Sequence, residues 1–150
     1  MRDQFEGDQI VLENALPFLL DGVYQRIRSV TYRAFNQHGL EITPEQWIVL
    51  ARLWQRGGRT VSELSESTER DKPTMSRILD SMEQHGLLKR TVDEKDARTR
   101  IVDLTREGKG LRKKLVPIAK ALVTQLEAGI PEADLVTTRR TLRRMLENLA

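Results

Sequence analysis

T-V-S-E-L-S-E-S-T-E-R-D-K-P-T-M-S-R-I-L-D-S-M-E-Q-H-G-L-L-K-R-T-V-D-E-K-D-A-R-T-R-I-V-D-L-T, residues 60–105, is the stretch that decides the fold of this chain. It contains two short helix patterns, followed by two strand-like runs that are joined by a charged turn. The first helix pattern begins with a capping box, Thr60-Val61-Ser62-Glu63. This order of elements is the sequence outline of a winged helix-turn-helix, a module that reads DNA.

The second helix pattern has one apolar face and one polar face. Asp71 is a good helix cap and Pro73 falls in the first turn, so the helix is predicted to begin there. The apolar positions have the spacing of a single buried stripe and are Met75, Ile78, Leu79 and Met82. The opposite face of the first two turns is polar and offers Lys72, Thr74, Ser76, Arg77 and Ser81.

That polar face suits the edges of DNA bases. An arginine pairs with guanine through two hydrogen bonds, and hydroxyl groups contact either bases or phosphates. The competing interpretation is an ordinary solvated helix face. Because a face selected only for solubility would be richer in Glu and Lys, the hydroxyl groups mildly favour a helix that enters the major groove.

The two strand-like runs predict a hairpin with a charged tip, the wing. The runs are L-L-K-R-T-V at 87–92 and T-R-I-V-D-L at 99–104, with D-E-K-D-A-R between them. Six basic and four acidic residues between Lys89 and Arg106 leave a local charge of only +2, so the wing is not a polybasic patch. Asp96 lies two residues before Arg98, close enough to orient its guanidinium toward a phosphate or a narrow minor groove. A plain surface salt bridge is the alternative.

The regions on both sides of this stretch are helical by pattern. Apolar residues recur at helical spacing within 10–37 and 105–126, and Pro131 is predicted to begin a last helix. The motif Q-H-G-L occurs at 37–40 and again at 84–87, where each glycine is predicted to end a helix in the left-handed conformation. The two histidines are therefore interpreted as structural residues of the last turn.

The flanking helices carry more apolar surface than one small reading module needs. Exposed apolar patches of that size are rarely left bare, which predicts a helical dimer interface. We therefore expect a single domain over residues 1–150, with a DNA-binding lobe at 43–105 and dimerisation helices at 8–40 and 106–149. A basic ridge on the last helix is interpreted as a solvated face, with DNA or an acidic partner as the alternative; it comprises Arg139, Arg140, Arg143 and Arg144.

Composition excludes several kinds of site. The chain has no cysteine, which excludes disulfides, thiolate metal ligation and a thiol redox switch. Hydrophobic residues make up 39% and charged residues 31%, enough for a core, and the formal charge of +3 is mildly basic. With no signal segment and no apolar run of membrane-spanning length, a cytoplasmic protein is expected. No cofactor loop, metal cluster or nucleophile–base pair stands out, so neither an enzyme nor a cofactor is predicted.

These residues resemble a known family, the multiple antibiotic resistance regulator (MarR) type of bacterial transcription factor. The resemblance covers nearly the whole chain. It rests on L-E-I-T-P-E-Q-W-I-V-L at 40–50, P-T-M-S-R-I-L-D-S-M-E-Q-H-G-L-L-K-R at 73–90 and D-A-R-T-R-I-V-D-L-T-R-E-G at 96–108. The last segment is the most specific: Asp, two residues on Arg, then L-T-x-x-G opening a long helix.

The resemblance implies a mainly α fold, a homodimer of winged-helix subunits with about six helices and a two- to three-stranded wing each. Double-stranded DNA would be the partner, with Thr74, Ser76 and Arg77 in the major groove and Arg98, held by Asp96, in the minor groove. The full set of expected DNA-binding residues is Lys72, Thr74, Ser76, Arg77, Arg90, Asp96, Arg98 and Arg100. Many members release DNA when a small anionic or phenolic effector binds between the lobes; candidate lining residues here are Tyr24, Arg28 and Trp47. Branches of the family that sense oxidants through cysteine, or metals, do not fit this sequence.

A dimeric, sequence-specific regulator, most simply a repressor, is therefore the leading hypothesis. A winged-helix module that binds protein and not DNA is the alternative. It would need an apolar or acidic recognition face, whereas Thr74, Ser76 and Arg77 form neither.

Overall fold

A computed structural model of the protein describes residues 4–150. This part of the chain forms seven α-helices and two small antiparallel sheets. The helices are α1 (Leu16–Gln37), α2 (Pro44–Gln55), α3 (Val61–Ser67), α4 (Lys72–Gln84), α5 (Arg106–Gly110), α6 (Arg112–Glu127) and α7 (Glu132–Asn148). The strands are β1 (Phe5–Glu6), β2 (Gln9–Ile10), β3 (Arg59–Thr60), β4 (Leu88–Val92) and β5 (Arg100–Leu104). The predicted winged-helix order is confirmed.

The wing is a three-stranded sheet in the order β3-β5-β4. In its register Leu88 faces Leu104 and Val92 faces Arg100, while Arg59 of the short β3 faces Val102. The wing is therefore anchored at its base to the start of α3, and only β4 and β5 extend to the tip.

The N-terminal segment differs from the sequence expectation of a helix pattern from about residue 10. Residues 5–10 form a small hairpin that turns at Gly7 (φ 65°), and α1 begins only at Leu16, with Pro17 in its first turn. A proline is favoured there because the first turn of a helix has no use for its missing N–H.

The predicted helix caps are present and fix where the helices of the DNA-binding lobe begin. The Thr43 hydroxyl accepts the Gln46 N–H at 3.2 Å and the Thr60 hydroxyl accepts the Glu63 N–H at 3.1 Å, each completed by the reciprocal side-chain bond of a capping box. Asp71 caps α4 in the same way. Because these caps are local, the sequence determines the helix starts without help from tertiary packing.

The two Q-H-G-L motifs end α1 and α4 as predicted. Gly39 and Gly86 both have φ 70°, and the following leucines fold back, so that Leu87 N–H donates to the Met82 carbonyl at 2.9 Å. His85 Nδ1 lies 2.6 Å from the Ser81 carbonyl oxygen, which gives this histidine a local structural partner.

The core lies between α1, α2, α4 and the wing. Its fully buried side chains are mainly aliphatic and include Leu50, Leu64, Met75, Leu79, Met82, Val102 and Leu115. Aromatic contacts then join the helices: the Phe35 ring lies 5.7 Å from that of Trp47, and Trp47 lies 5.7 Å from Trp54 in an edge-on arrangement. Within residues 4–150 no helix is long and apolar enough to cross a membrane.

The helix after the wing is divided at a position that the sequence did not predict, since the kink expected over 105–126 was at Pro117. It is interrupted at Leu111, between α5 and α6, and Pro117 lies inside α6. The carbonyl oxygen of Gly108 accepts the Trp54 indole N–H at 2.9 Å just before this break. Two glycines in α5 also lower the helix propensity of this segment.

Candidate nucleic-acid interface

The recognition helix α4 has its polar face turned outward because three of the four residues of its apolar stripe are fully buried and the fourth, Ile78, is half-buried. Met75, Leu79 and Met82 are all inaccessible to solvent. On the other side Lys72 and Arg77 are exposed. The other members of the predicted polar face, Thr74, Ser76 and Ser81, are half-buried, and the Ser81 hydroxyl oxygen accepts a hydrogen bond from the Gln46 side-chain amide at 3.2 Å. The burial of one stripe thus decides which side chains a DNA groove would meet.

The first turn of α4 is held by hydrogen bonds around Asp71. One carboxylate oxygen of Asp71 accepts the Thr74 N–H at 2.7 Å and the other accepts the Thr74 hydroxyl at 2.8 Å. These bonds, the backbone one first, hold the pKa of Asp71 below its usual value. The Arg77 guanidinium in turn donates to the Thr74 hydroxyl oxygen at 3.4 Å. Thr74 and Arg77 are therefore pre-positioned relative to the helix start.

At the wing tip, Asp96 organises backbone and not a guanidinium. Its carboxylate accepts the Arg98 backbone N–H and the Thr99 hydroxyl, both at 2.9 Å, and these bonds lower its pKa. The prediction that Asp96 orients the Arg98 guanidinium is thus wrong in its detail. Each carboxylate oxygen of Asp96 accepts a hydrogen bond within an Asx turn, one from the Arg98 backbone N–H and the other from the Thr99 hydroxyl.

The two arginines at the wing tip are placed differently. Arg98 is exposed, and within residues 4–150 its guanidinium has no hydrogen-bonding or ion-pair partner. The Arg100 guanidinium donates to the Ala97 carbonyl at 3.1 Å, which closes the turn from the other side. Arg98 is therefore a cation on a rigid turn that is left available for an external anion.

Arg90 is also engaged inside the protein. Its guanidinium donates to Asp80 at 2.6 Å and to Glu83 at 2.6 and 3.1 Å. The hydrogen bond to Glu83 is the largest cause of the raised pKa of Arg90. The structure thus separates Arg90 from the other expected DNA-binding residues, because its donors already have carboxylate partners across the junction between α4 and β4.

The segment L-T-x-x-G, 104–108, joins the wing to the end of the recognition helix. Thr105 N–H donates to the Leu87 carbonyl at 3.1 Å, and the Thr105 hydroxyl donates to the Gly86 carbonyl at 2.6 Å while accepting the Gly108 N–H at 3.2 Å. Gly108 packs so closely that a Cβ there would collide with the Leu87 carbonyl. The motif therefore sets the position of β5 against the Gly86–Leu87 turn.

The three candidate effector-binding residues do not share one cavity. Trp47 lines a cavity of about 450 Å³ between α1, α2 and α6. Arg28 lines a smaller one of about 300 Å³ and is paired with Glu45 at 2.6 Å. Tyr24 is exposed on α1 and borders neither cavity. The other side chains of the larger cavity are mostly apolar: Val23, Ile27, Val30, Thr31, Ala119, Leu122, Val123 and Leu126, with Arg26 and Gln125 as the polar ones.

Sequence reasoning missed the acidic partners of these arginines. Asp80, Glu83 and Glu45 are not among the site residues that the sequence predicts. The available signal was the placement of Glu83 and Arg90 on either side of the Gly86 turn, which brings residues seven apart together. In the described residues no cluster of three or more His, Cys, Asp or Glu side chains has the arrangement of a metal site.

Comparison with known proteins fits this geometry. The sequence pattern of the MarR family matches residues 42–99, from just before α2 to the wing tip. The organic hydroperoxide resistance transcriptional regulator of Bacillus subtilis (strain 168) is 33% identical over 145 residues, which cover 95% of this chain and 94% of that protein. The chain belongs to the MarR family.

Other MarR-type relatives match over similar lengths. The HTH-type transcriptional repressor MdtR of Bacillus subtilis (strain 168) is 28% identical over 130 residues, covering 87% of this chain and 81% of that protein. The structure of Bordetella bronchiseptica BpsR, whose DNA binding is regulated by 6-hydroxynicotinic acid, superposes with a TM-score of 0.83 at 25% identity and covers 93% of this chain and 97% of that one. This MarR-family protein is accordingly a winged-helix transcriptional regulator.

Proposed function

We propose that this MarR-family protein binds a pseudo-palindromic DNA operator as a homodimer and represses transcription from it. Each subunit places the start of α4 in a major groove, where Thr74, Ser76 and Arg77 read base edges, and Arg98 in the adjacent minor groove. Lys72 and Arg100 flank these contacts and meet phosphates. In a two-fold dimer the half-sites lie about one helical turn apart, roughly 34–36 Å.

The observation that carries this proposal is the free guanidinium of Arg98 on a braced turn. Asp96 and Arg100 both use hydrogen bonds to fix the backbone around it, and its own donors are left unpaired within residues 4–150. A preformed turn that presents one unpaired cation loses little conformational entropy on binding a phosphate or a narrow groove.

The experiment for Arg98 is a salt titration of DNA affinity. Arg98→Ala is expected to weaken binding to operator and non-specific duplexes and to flatten the plot of log affinity against log salt by about 0.9. Arg112→Ala is the matched control, because Arg112 is an exposed arginine at the start of α6 and is not among the proposed DNA-binding residues. An unchanged slope for Arg98→Ala removes Arg98 from the interface.

The experiment for Arg77 is a binding-site selection. Arg77→Ala is expected to relax base preference at one position of each half-site, at roughly 1–3 kcal/mol. Lys72→Ala is expected to weaken all duplexes equally. Recovery of the wild-type motif by the Arg77 variant would contradict base reading by this residue. The complete absence of a DNA complex for the wild type at low salt would favour a protein-binding module.

The homodimer is supported by the exposed apolar side chains of α1, α6 and α7. Their exposed fractions are large for apolar residues: Leu19 46%, Val23 50%, Val123 50%, Val136 53% and Leu146 54%. Leu146→Glu is expected to convert the dimer to a monomer in analytical ultracentrifugation, because a charge would be buried in an apolar interface. Val92→Glu, on the wing, is the control that should stay dimeric. A wild-type monomer at micromolar concentration would contradict this part of the proposal.

The cavity beside Trp47 is the site we propose for a small aromatic effector. Its volume of about 450 Å³ falls within the ordinary range for ligand pockets, and Arg26 provides a cation at mostly apolar walls. Aromatic carboxylates are expected to raise the melting temperature, since a ligand that binds only the folded state stabilises it. The matching neutral amides should have less effect, and Arg26→Gln should abolish the difference. An equal response of wild type and variant would contradict this assignment.

The sensing chemistry differs from any that depends on a thiol. One relative is named for organic hydroperoxide resistance, whereas this chain contains no cysteine. We therefore propose that an effector which binds without forming a covalent bond causes the protein to release DNA.

A further inference from the structure

The junction between the recognition helix and the wing contains a carboxylate clamp formed by Asp80, Glu83 and Arg90. Glu83 Oε1 accepts the Arg90 backbone N–H at 3.0 Å, while Glu83 Oε2 accepts the Arg90 guanidinium at 2.6 and 3.1 Å. Asp80 accepts a further guanidinium hydrogen bond at 2.6 Å. One side chain of β4 is thus fixed by two successive turns of α4.

The clamp is more than a loose surface contact. The side chain of Arg90 is only 24% exposed, and its forked donors meet carboxylates from two directions. The hydrogen bond from Arg90 also holds the pKa of Glu83 below its usual value, so the carboxylate is ionised at neutral pH. The β4 strand therefore has a defined angle to α4 at the point where both leave the core.

We propose that Arg90 is a positioning residue: clamped by Asp80 and Glu83, it fixes the wing relative to the recognition helix so that Arg98 and Arg77 enter adjacent grooves together. It makes no phosphate contact itself. This inference rests on the proposed DNA-binding function and assigns Arg90 a different role within it.

Removing the negative charge of Glu83 should change DNA affinity in opposite directions for a positioning role and for simple charge repulsion. Removing a negative charge from a DNA-facing lobe should strengthen DNA binding, because the acid repels phosphate. If the clamp positions the wing, Glu83→Gln should instead weaken operator binding. The glutamine keeps an oxygen for the Arg90 N–H but loses the charged acceptor for the guanidinium.

Operator affinity is therefore measured for Glu83→Gln beside Glu94→Gln, a matched control at the exposed wing tip. We expect roughly 3- to 30-fold weaker binding for Glu83→Gln. Glu94→Gln should bind equally well or more tightly. Circular dichroism establishes that both variants are folded. Tighter binding by both variants would overturn the proposal.

Two substitutions of Arg90 then separate positioning from phosphate contact. Arg90→Lys keeps the charge but loses the planar fork, so positioning predicts nearly the same loss of affinity, and the same change in salt slope through Arg98, for Arg90→Lys as for Arg90→Gln. A phosphate contact predicts retained affinity for Arg90→Lys and a slope reduced by about 0.9 for Arg90→Gln. The second pattern would refute the inference.

The last measurement asks whether Arg90 acts through Arg98. In the Arg90→Gln background, Arg98→Ala should weaken operator binding less than it does in the wild type, because the wing no longer holds Arg98 in the groove. An equal loss in both backgrounds would overturn the inference. Should Arg90→Gln fail to fold, the same cycle is run with Glu83→Gln. A wild type that binds no DNA would defeat the proposed function and not this inference alone.

Discussion

The two glycines of α5 should respond to alanine with opposite signs. Gly108 and Gly110 lie in the same five-residue helix, and alanine is favoured over glycine in a helix by about 1 kcal/mol. No atom that a Cβ would meet lies within 4 Å of Gly110, and its φ is not in the left-handed region. Gly110→Ala should therefore raise the free energy of unfolding by about 0.5–1 kcal/mol.

Gly108→Ala should be strongly destabilising in spite of its better helix propensity. The new Cβ collides with the Leu87 carbonyl and comes within 3.1 Å of the Leu104 side chain. Moving α5 away would weaken two hydrogen bonds, from Thr105 N–H to Leu87 and from the Trp54 indole to Gly108. The two hydrogen bonds contribute about 1 kcal/mol each, and forcing the methyl group into a packed site costs about 1–3 kcal/mol more. The better helix propensity of alanine returns about 1 kcal/mol, so the free energy of unfolding should fall by about 3 kcal/mol.

The assay is urea unfolding at one fixed protein concentration, since the stability of a dimer depends on concentration. In thermal unfolding the same loss corresponds to a melting temperature lower by about 6–12 °C for a chain of this size. A Gly108→Ala variant as stable as Gly110→Ala would refute the close approach of α5 to the Gly86–Leu87 turn.

Three further predictions use the same unfolding assay. Thr105→Val should cost about 1–3 kcal/mol, because the Gly108 N–H and the Gly86 carbonyl both lose their hydrogen-bond partner; a loss under about 0.5 kcal/mol would contradict it. Leu64→Ala, at a position with no solvent exposure, should cost about 2–5 kcal/mol, against less than about 0.5 kcal/mol for Val92→Ala at 52% exposure. Glu83 has a lowered pKa, so its stabilising contribution is present above its usual value of 4.5 and lost as the pH falls below it. The stability difference between wild type and Glu83→Gln should accordingly shrink on acidification, and a constant difference from pH 7 to pH 3 would count against the clamp.

The orientation and partners of the expected site residues follow from the sequence to different degrees, for a physical reason. The reading face of α4 could be predicted because one buried stripe fixes the orientation of every other side chain on a helix. At the wing tip the sequence identified Asp96 as the residue that acts on Arg98, but Asp96 bonds the Arg98 backbone N–H and not its guanidinium. Sequence spacing does not give the direction of a side chain. The partners of Arg90 were not predicted: the Gly86 turn brings Glu83 and Arg90 near each other, but the pairing depends on the angle at which β4 leaves that turn.

The sequence by itself determined the starts of α2, α3 and α4, the ends of α1 and α4, and the order of elements in the winged helix. Caps such as Thr43, Thr60 and Asp71 and the two Q-H-G-L endings act over three to five residues, so each is complete in the chain before it folds.

Only the tertiary structure decided which cations remain free. In the sequence, nothing distinguishes the pairing of Arg28, Arg90 and Arg98. The packing of α1 on α2 gives the first to Glu45, and the α4–β4 junction gives the second to Asp80 and Glu83. Of these three arginines, only Arg98 has an unpaired guanidinium within residues 4–150. The neighbouring Asp96 carboxylate accepts the Arg98 backbone N–H instead. Charge pairing depends on distances between elements, and no local pattern contains those distances.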